Sequence, residues 1–358
     1  MFAKVQRIVL VVLLAAAAAL RCAAAPCIVP LFSQEGKDRY CVEVLERIQD
    51  AREQILIMLS SASLEGHPLF DALLAAQARG VSVRVLLDAS DWAPSITAKH
   101  QAVLAELLEG GIDARLDDPG VTTHAKLLVI DRAIVILGST NWNAHALREH
   151  RQADVVLEDA LIAGFYATYF DTVWERGYAD VDIALPTLPS SGHAAVVPAA
   201  DWPESRCYGS LVLDLLDAAE HSIHVTMYRM SYYSEYSDSL ANQLIRALVS
   251  AAARGLSVQV LLDDCAYYED SAEANLYAAL FLHNRGVQVR FDGASETTHT
   301  KLVVIDGCTA VLGSTNWNYY ALEQNVEANI ALIGIPALGA QFEAFFQELW
   351  DAGRGVTD

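Results

Sequence analysis

The stretch His124-Ala125-Lys126-Leu127-Leu128-Val129-Ile130-Asp131, running on to Gly138-Ser139-Thr140-Asn141, decides the reading of this chain because it occurs twice. The second copy is His299-Thr300-Lys301-Leu302-Val303-Val304-Ile305-Asp306, running on to Gly313-Ser314-Thr315-Asn316. The copies lie 175 residues apart with identical internal spacing. Each copy reads as a hairpin. Lys126 to Ile130 is strand-like, Asp131-Arg132-Ala133 is a turn, and Ile134 to Leu137 returns. The second copy turns at Asp306-Gly307-Cys308, and Asp-Gly tolerates the positive φ angles of a tight turn. Histidine and lysine two positions apart on a strand share one face. Folding the hairpin brings Gly-Ser-Thr-Asn back beside them. The aspartate ends up roughly 16 Å from the lysine at about 3.3 Å per residue, so Asp131 and Asp306 read as turn-stabilising rather than catalytic residues.

The repeat is wider than the hairpin. Ala78 to Asp88 matches Ala253 to Asp263 at the same offset, and Gly111 and Asp117 match Gly286 and Asp292. A period of this size is a domain duplication, not a solenoid. The halves are placed at residues 33–180 and 205–358, joined by a linker over 181–204 that carries Pro186, Pro189, Pro198 and Pro203. Helical and strand patterns alternate within each half. Tyr40 to Ala51, Leu69 to Arg79 and Thr97 to Glu109 are helix-like, and Gln54 to Leu59 and Val81 to Leu87 read as buried strands. Gly80 stops the second helix, as glycine does at helix C-termini. The expected fold is α/β: two pseudo-symmetric halves, each a mixed sheet flanked by helices.

The N-terminus looks like a targeting segment. Lys4 and Arg7 precede an unbroken apolar run from Ile8 to Leu20, and Ala23-Ala24-Ala25 offers the small residues of a cleavage site. The run is short of the roughly 20 residues of a membrane span. Residues 1–25 are therefore expected to be a signal peptide or N-terminal anchor of an exported protein, periplasmic or secreted, with a membrane tether as the variant. The six cysteines show no metal-ligand spacing, and a bridge such as Cys27–Cys41 stays open.

Both copies satisfy H-x-K-x4-D-x6-G-S-x-N in full, and in this they resemble the phospholipase D superfamily. The resemblance covers both halves. It implies a metal-independent phosphodiesterase, without cofactor, with one active site at the interface of the halves. One imidazole attacks phosphorus to give a phosphohistidine, and a second protonates the leaving alcohol. That chemistry needs two histidines about one phosphate, and His124 and His299 supply them. Lys126 and Lys301, with Ser139, Asn141, Ser314 and Asn316, suit the phosphoryl oxygens. Gly138 and Gly313 allow close backbone approach. The resemblance also implies an acidic residue about 28 positions after the motif histidine as its partner. For His299 this is Glu327; the matching residue for His124 is Gln152, with Glu149 or Asp154 in its place if the register slips. A carboxylate favours a protonated imidazole, which points to His299 as general acid/base and His124 as nucleophile.

The remaining histidines read mostly as surface or helix residues, and Trp142 and Trp317 as packing of the hairpin base. The segment Tyr228 to Tyr236, with Tyr267 and Tyr268, is expected to form an aromatic lip over the site. A formal charge of −21 argues against a broad nucleic-acid footprint. The expected substrate is thus a phosphodiester, in the first place a phospholipid whose headgroup is hydrolysed or transferred. A nuclease of the same superfamily is the alternative. A membrane surface is a candidate contact, and no obligate protein partner is evident.

Overall fold

A computed structural model describes residues 27–33, 39–64, 68–89, 91, 93–178, 181, 183, 193–264, 268–293 and 296–356. The expected leader over residues 1–25 lies outside the described residues, as do His67 and Tyr267.

The first half is built on β1 (Cys27–Phe32), β2 (Gln54–Leu59), β3 (Ser82–Leu87), β4 (Asp113–Leu116), β5 (Lys126–Ile130), β6 (Ile134–Gly138) and β8 (Ala153–Glu158). They form a seven-stranded sheet in the order β1-β8-β6-β5-β2-β3-β4. β2, β3 and β4 run parallel, and the other pairings are antiparallel. The parallel strands are joined through α2 (Leu69–Ala78) and α3 (Pro94–Glu109), and α1 (Arg39–Asp50) leads from β1 to β2. Strands β2 and β5 are almost wholly buried along their length, as sheet strands covered on both faces must be.

The second half repeats the plan with β9 (Ala195–Asp201), β10 (Ser222–Met227), β11 (Ser257–Leu262), β12 (Gln288–Phe291), β14 (Lys301–Ile305), β15 (Thr309–Gly313) and β16 (Glu327–Ile333), to which β17 (Arg354–Gly355) adds an edge. The order β17-β12-β11-β10-β14-β15-β16-β9 is that of the first sheet. The mixed α/β architecture of two flanked sheets follows the sequence reading. Two boundaries differ from it. β1 starts before residue 33, and β9 lies inside the stretch expected to be a linker. Pro198 drew that expectation, but β9 is an edge strand paired to β16 alone, where a residue without an N–H costs no ladder bond.

The halves are joined by a common core. α5 (Ala160–Arg176) begins at Asp159, whose carboxylate accepts from the N–H groups of Leu161 and Ile162, and ends at Gly177 with φ +80°. It brings Tyr166, Tyr169 and Phe170 onto Leu127 and Val129 of its own sheet and onto Ala328 and Ile330 of the other. α10 (Pro336–Ala352) is its counterpart, and Phe342 and Phe346 join the same cluster. Phe32 of β1 stacks on Phe345 at 4.6 Å. The Tyr169 hydroxyl donates to the Asp201 carbonyl at 2.7 Å. This shared burial makes the relative placement of the two motifs a property of the core. Among the described residues no helix is long and apolar enough to cross a membrane.

Candidate active site

Both motif histidines sit in short loops just before β5 and β14, and each loop is stitched to the other half. The N–H groups of His124 and Ala125 donate to the Val326 carbonyl at 2.9 Å each, and Val326 N–H donates to the Thr122 carbonyl at 2.9 Å. At the matching place β13 (Thr297–Thr298) pairs in parallel with β7 (His150–Arg151). There the Thr300 hydroxyl donates to the Arg151 carbonyl at 3.0 Å. Each crossing carries the next residue of its chain segment, Glu327 or Gln152, up to the histidine of the opposite half.

This exchange corrects one expectation. Glu327 is the partner of His124, with its carboxylate oxygens 3.0 and 3.1 Å from Nδ1. Gln152 is the partner of His299, its Oε1 3.2 Å from Nδ1. Counting along the chain finds the right two positions but pairs them within halves, because the crossing belongs to the interface. Glu149 and Asp154 do not take the place of Gln152. Glu149 pairs with the exposed His145, and Asp154 accepts from the Thr140 N–H and hydroxyl at 3.0 and 2.5 Å.

The electrostatics of the two histidines differ accordingly. A carboxylate only accepts, so Nδ1 of His124 carries its proton and Nε2 is left with a lone pair. Burial pushes the His124 ring below the ordinary imidazole value, Glu327 pulls it back up, and Lys126 and Lys301 push it down. Its side chain is 16% exposed while Glu327 is wholly buried, so the pair opens to ligand only through the ring. Burial also disfavours the charge on Glu327, but His124, Lys126 and the Ser314 hydroxyl outweigh it and hold the carboxyl below its usual range. His299 has no carboxylate. Its Nδ1 lies 3.0 Å from the Ser139 carbonyl, which also can only accept. Burial, then Lys301, Lys126, His150 and His124, hold His299 well below the ordinary value.

Lys126 and Lys301 are both buried, and each ammonium donates to the carbonyl of its own motif histidine at 2.6 Å. Burial brings Lys126 down to about 8, against Glu327, Asp88 and Asp154, which favour its charge. Two lysines and two histidines therefore converge from both halves, with the Glu327 carboxylate among them, an arrangement suited to an anionic ligand. Orphaned polar atoms sit on or beside the same segments: Oδ1 of Asn141 and of Asn316, Oγ1 of Thr298 and of Thr315, and Nδ1 of His150. Buried groups of this kind are normally met by a ligand or water.

The serines and glycines act differently from their expected role at the phosphate. The Ser314 hydroxyl donates to Glu327, and the Ser139 hydroxyl donates to the Ala153 carbonyl at 3.3 Å. Both are fully buried, so they position the histidine partners instead of facing substrate. A Cβ on Gly138 would lie 2.3 Å from Asp154 Oδ1 and 2.5 Å from the Ala153 carbonyl. One on Gly313 would lie 2.4 Å from Asn329 Oδ1 and 2.5 Å from the Ala328 carbonyl. The close approach that requires glycine is thus by β8 and β16, not by a ligand.

Asp131 and Asp306 sit at the far hairpin turns. Asp131 accepts the N–H groups of Arg52, Glu53 and Gln54 at 2.8–2.9 Å, and Asp306 those of Glu220, His221 and Ser222 at 2.7–3.0 Å. They anchor the start of the central strand as well as the turn. Trp142 and Trp317 are buried beneath the hairpins, their indole N–H groups donating to the hydroxyls of Tyr40 and Tyr208. Of the remaining histidines, His100 lies in α3, as a helix residue, and His150 lies on the strand β7. His100 is fully buried, with Nδ1 2.6 Å from the Asp88 carbonyl and Nε2 accepting from Ala62 N–H. His150 packs beside His299 with ring centroids 5.9 Å apart. Of the aromatic lip, Tyr228 enters the site, whereas Tyr232 stacks on Phe281 of α8 (Glu269–His283) at 3.7 Å. The position of Tyr228, directly after a central strand, was the signal for it.

A duplicated α/β fold with an H-x-K pair from each half brought to one shared site defines the phospholipase D-like class. The family model described as cardiolipin synthase, PLD-like domain, matches residues 44–174 and again 212–350, and the chain belongs to this family. A phospholipase D of Rickettsia bellii is 35% identical over 123 residues, 34% of this chain and 58% of that protein. Cardiolipin synthase B of Salmonella typhimurium is 24% identical over 333 residues, 83% of this chain and 75% of that one. The first three curated relatives are matched over 58%, 33% and 49% of their own lengths. The phosphatidylserine synthase of Haemophilus influenzae shares the fold, with a TM-score of 0.71 over 93% of this chain and 90% of that one at 14% identity.

Proposed function

We propose that this chain is a phosphodiesterase that hydrolyses or exchanges phospholipid headgroups through a phosphohistidine on His124. The observation that carries the reading is the crossed pairing of Glu327 with His124 and Gln152 with His299 around Lys126 and Lys301. Nε2 of His124 attacks phosphorus, and the P–O bond to the headgroup or lipid alcohol breaks. The attack makes the imidazole cationic, and Glu327 stabilises that charge through Nδ1–H. His299, as imidazolium, gives its Nε2 proton to the leaving oxygen. An anionic phosphate raises the depressed pKa of His299, so the proton is present when substrate is bound and leaves readily. Neutral His299 then takes a proton from water or an alcohol, which attacks the phosphohistidine and frees His124. Lys126 and Lys301 offset charge on the non-bridging oxygens.

Phospholipid is favoured over nucleic acid by two considerations. A net charge of −21 opposes a long polyanion that must be bound over many phosphates. The relatives include a phospholipase D, matched over 34% of this chain, and a cardiolipin synthase, matched over 83% of it. We read residues 1–25 as an export leader or anchor, which would bring the site to a membrane face.

The test compares wild type with His124→Ala, with and without chelator. One series presents vesicles of phosphatidylcholine, phosphatidylglycerol or cardiolipin, and another presents single- and double-stranded DNA and RNA. Headgroup release by wild type and its loss in the variant is the expected result. Nucleotide release without lipid turnover overturns the lipid assignment in favour of a nuclease.

A further inference from the structure

His299 stands between two aromatic neighbours, Tyr228 and His150, and the matching positions of the other half, Ser60 and Asn325, are not aromatic. The Tyr228 ring centroid is 4.6 Å from that of His299, with the planes tilted by 57°. The Lys301 ammonium lies 4.8 Å from the centroid of the same Tyr228 ring. The main chain of Tyr228 is fixed at both ends: its N–H donates to the Thr300 carbonyl at 3.0 Å, and its carbonyl accepts from Asn275 Nδ2 at 2.8 Å. The first half repeats this frame with Ser60, whose N–H donates to the Ala125 carbonyl at 3.1 Å. The equivalent positions directly after β2 and β10 thus carry a serine in one half and a tyrosine in the other.

The face of an aromatic ring attracts a cation, and the attraction strengthens where water is excluded. Lys301 is buried, so its ammonium is held in place by the ring as well as by the His299 carbonyl. We propose that Tyr228 is a positioning residue that holds His299 and Lys301 as one unit and commits that side of the pocket to the leaving alcohol. The idea rests on His299 acting as the acid. A proton donor must keep line with the breaking bond, and a displacement near 1 Å costs about 100-fold in rate. His124 needs no such wall, because Glu327 already fixes its ring.

The test compares wild type, Tyr228→Ser, Tyr228→Leu and Tyr228→Phe. Serine reproduces the first half, leucine keeps apolar bulk without the ring face, and phenylalanine keeps the ring. kcat and KM are measured across a pH series, thermal unfolding is followed, and the imidazole titrations are read by NMR without substrate. The expected result is a kcat loss of about 10- to 100-fold for Ser and Leu with KM changed less than about threefold, and near-wild-type kcat for Phe. The His299 titration moves up toward the ordinary imidazole value in Ser, where water reaches the ring, and in Leu, where the Lys301 ammonium loses the ring face and shifts away from His299; it does not move in Phe. Wild-type kcat and an unmoved titration in Leu, or a Phe variant as impaired as Ser, overturn the proposal. If wild type turns over no phosphodiester, the functional reading fails, and the NMR titration still decides whether Tyr228 sets the state of His299.

Discussion

Glu327 meets Nδ1 of His124 at 3.0 Å across the interface, while His299, the motif histidine of its own half, meets Gln152 at 3.2 Å. On the proposed mechanism the carboxylate thus stands behind the imidazole that becomes cationic on bonding phosphorus, and the neutral amide beside the one that gives up a proton. Glu327→Gln keeps the size and one hydrogen bond but removes the charge. Replacing the carboxylate behind a catalytic imidazole by its amide costs up to about 10⁴-fold in rate, and a loss between about 10²- and 10⁴-fold in kcat is expected here. A variant with wild-type kcat would falsify the nucleophile assignment.

The reverse change, Gln152→Glu, moves a second carboxylate beside His299. Both histidines are held below the ordinary value of 6.5, chiefly by burial, and His299 further than His124. The productive free enzyme needs neutral His124 and protonated His299, so activity falls as pH drops through the first titration and as pH rises through the second. Both limbs of kcat/KM are macroscopic values of the coupled pair and are expected below pH 6.5. Gln152→Glu raises the pKa of His299, the lower-titrating of the two, so the acid limb moves up first and the alkaline limb follows once His299 passes His124, with a smaller loss of kcat than Glu327→Gln. A pH–rate series on the two proteins checks this; an acid limb that stays put, or moves to lower pH, rejects it.

The repeated hairpin made the duplication, the α/β class and the two H-x-K pairs legible, because a period-2 face and a turn are local properties of the chain. Asp131 and Asp306 could be set aside as non-catalytic for the same reason: distance along a strand is nearly distance in space. The partners of the histidines were not legible to the same degree. Gln152 and Glu327 were found by position, but their exchange depends on α5 and α10 packing into one core, which no spacing records. Ser139 and Ser314 were misread because a hydroxyl beside a motif histidine faces substrate or neighbouring strand according to the β6–β8 and β15–β16 pairings. Pro198 was misread because the edge position of β9 is a tertiary fact.

Asp131 and Asp306 give a prediction opposite in kind to Glu327. Each carboxylate gathers three backbone N–H groups; burial works against its charge, and those hydrogen bonds more than compensate. The site lies at the hairpin turn, away from the histidines. Asp131→Ala should lower stability by about 1–2 kcal/mol, less than a fully buried set of charged bonds because water can replace it. kcat per folded molecule should stay within about twofold of wild type. Denaturant unfolding and active-site-normalised kinetics read the two separately, and a large kcat loss at unchanged stability would place the aspartate in the chemistry after all.

Gly138→Ala and Gly313→Ala probe the strand contact that the motif glycines serve. The new methyl group meets backbone of the neighbouring strand at 2.5 Å in both cases, so β6 or β15 must move away from β8 or β16. Overpacking of this sort costs about 1–3 kcal/mol. The same displacement carries Ser139 and Ser314 off their partners, so kcat should fall together with the unfolding midpoint. Variants that keep full stability would mean the strands separate freely, contrary to the close contact seen here.

Asp263 and Asp292 converge on the N–H of Thr298, the residue before His299, at 2.6 and 3.0 Å. Two buried carboxylates on one donor cannot both be ionised without repulsion. Burial first, then Asp263, push Asp292 up to about 8. In the first half the matching Asp117 accepts from the Tyr178 hydroxyl at 2.7 Å, yet burial and then Asp88 still push it up to about 7. The raised pKa of Asp292 means that the folded protein holds a proton there which the unfolded chain releases from about 3.8 upward. Stability from this group is therefore present at low pH and is lost progressively as pH rises to about 8. Asp292→Asn supplies a permanent N–H to Asp263 and removes that dependence. Its unfolding temperature should converge with that of wild type in acid, exceed it by a margin that opens as pH rises from about 3.8, and level off above about pH 8; parallel curves at every pH would show that the pair does not share a proton.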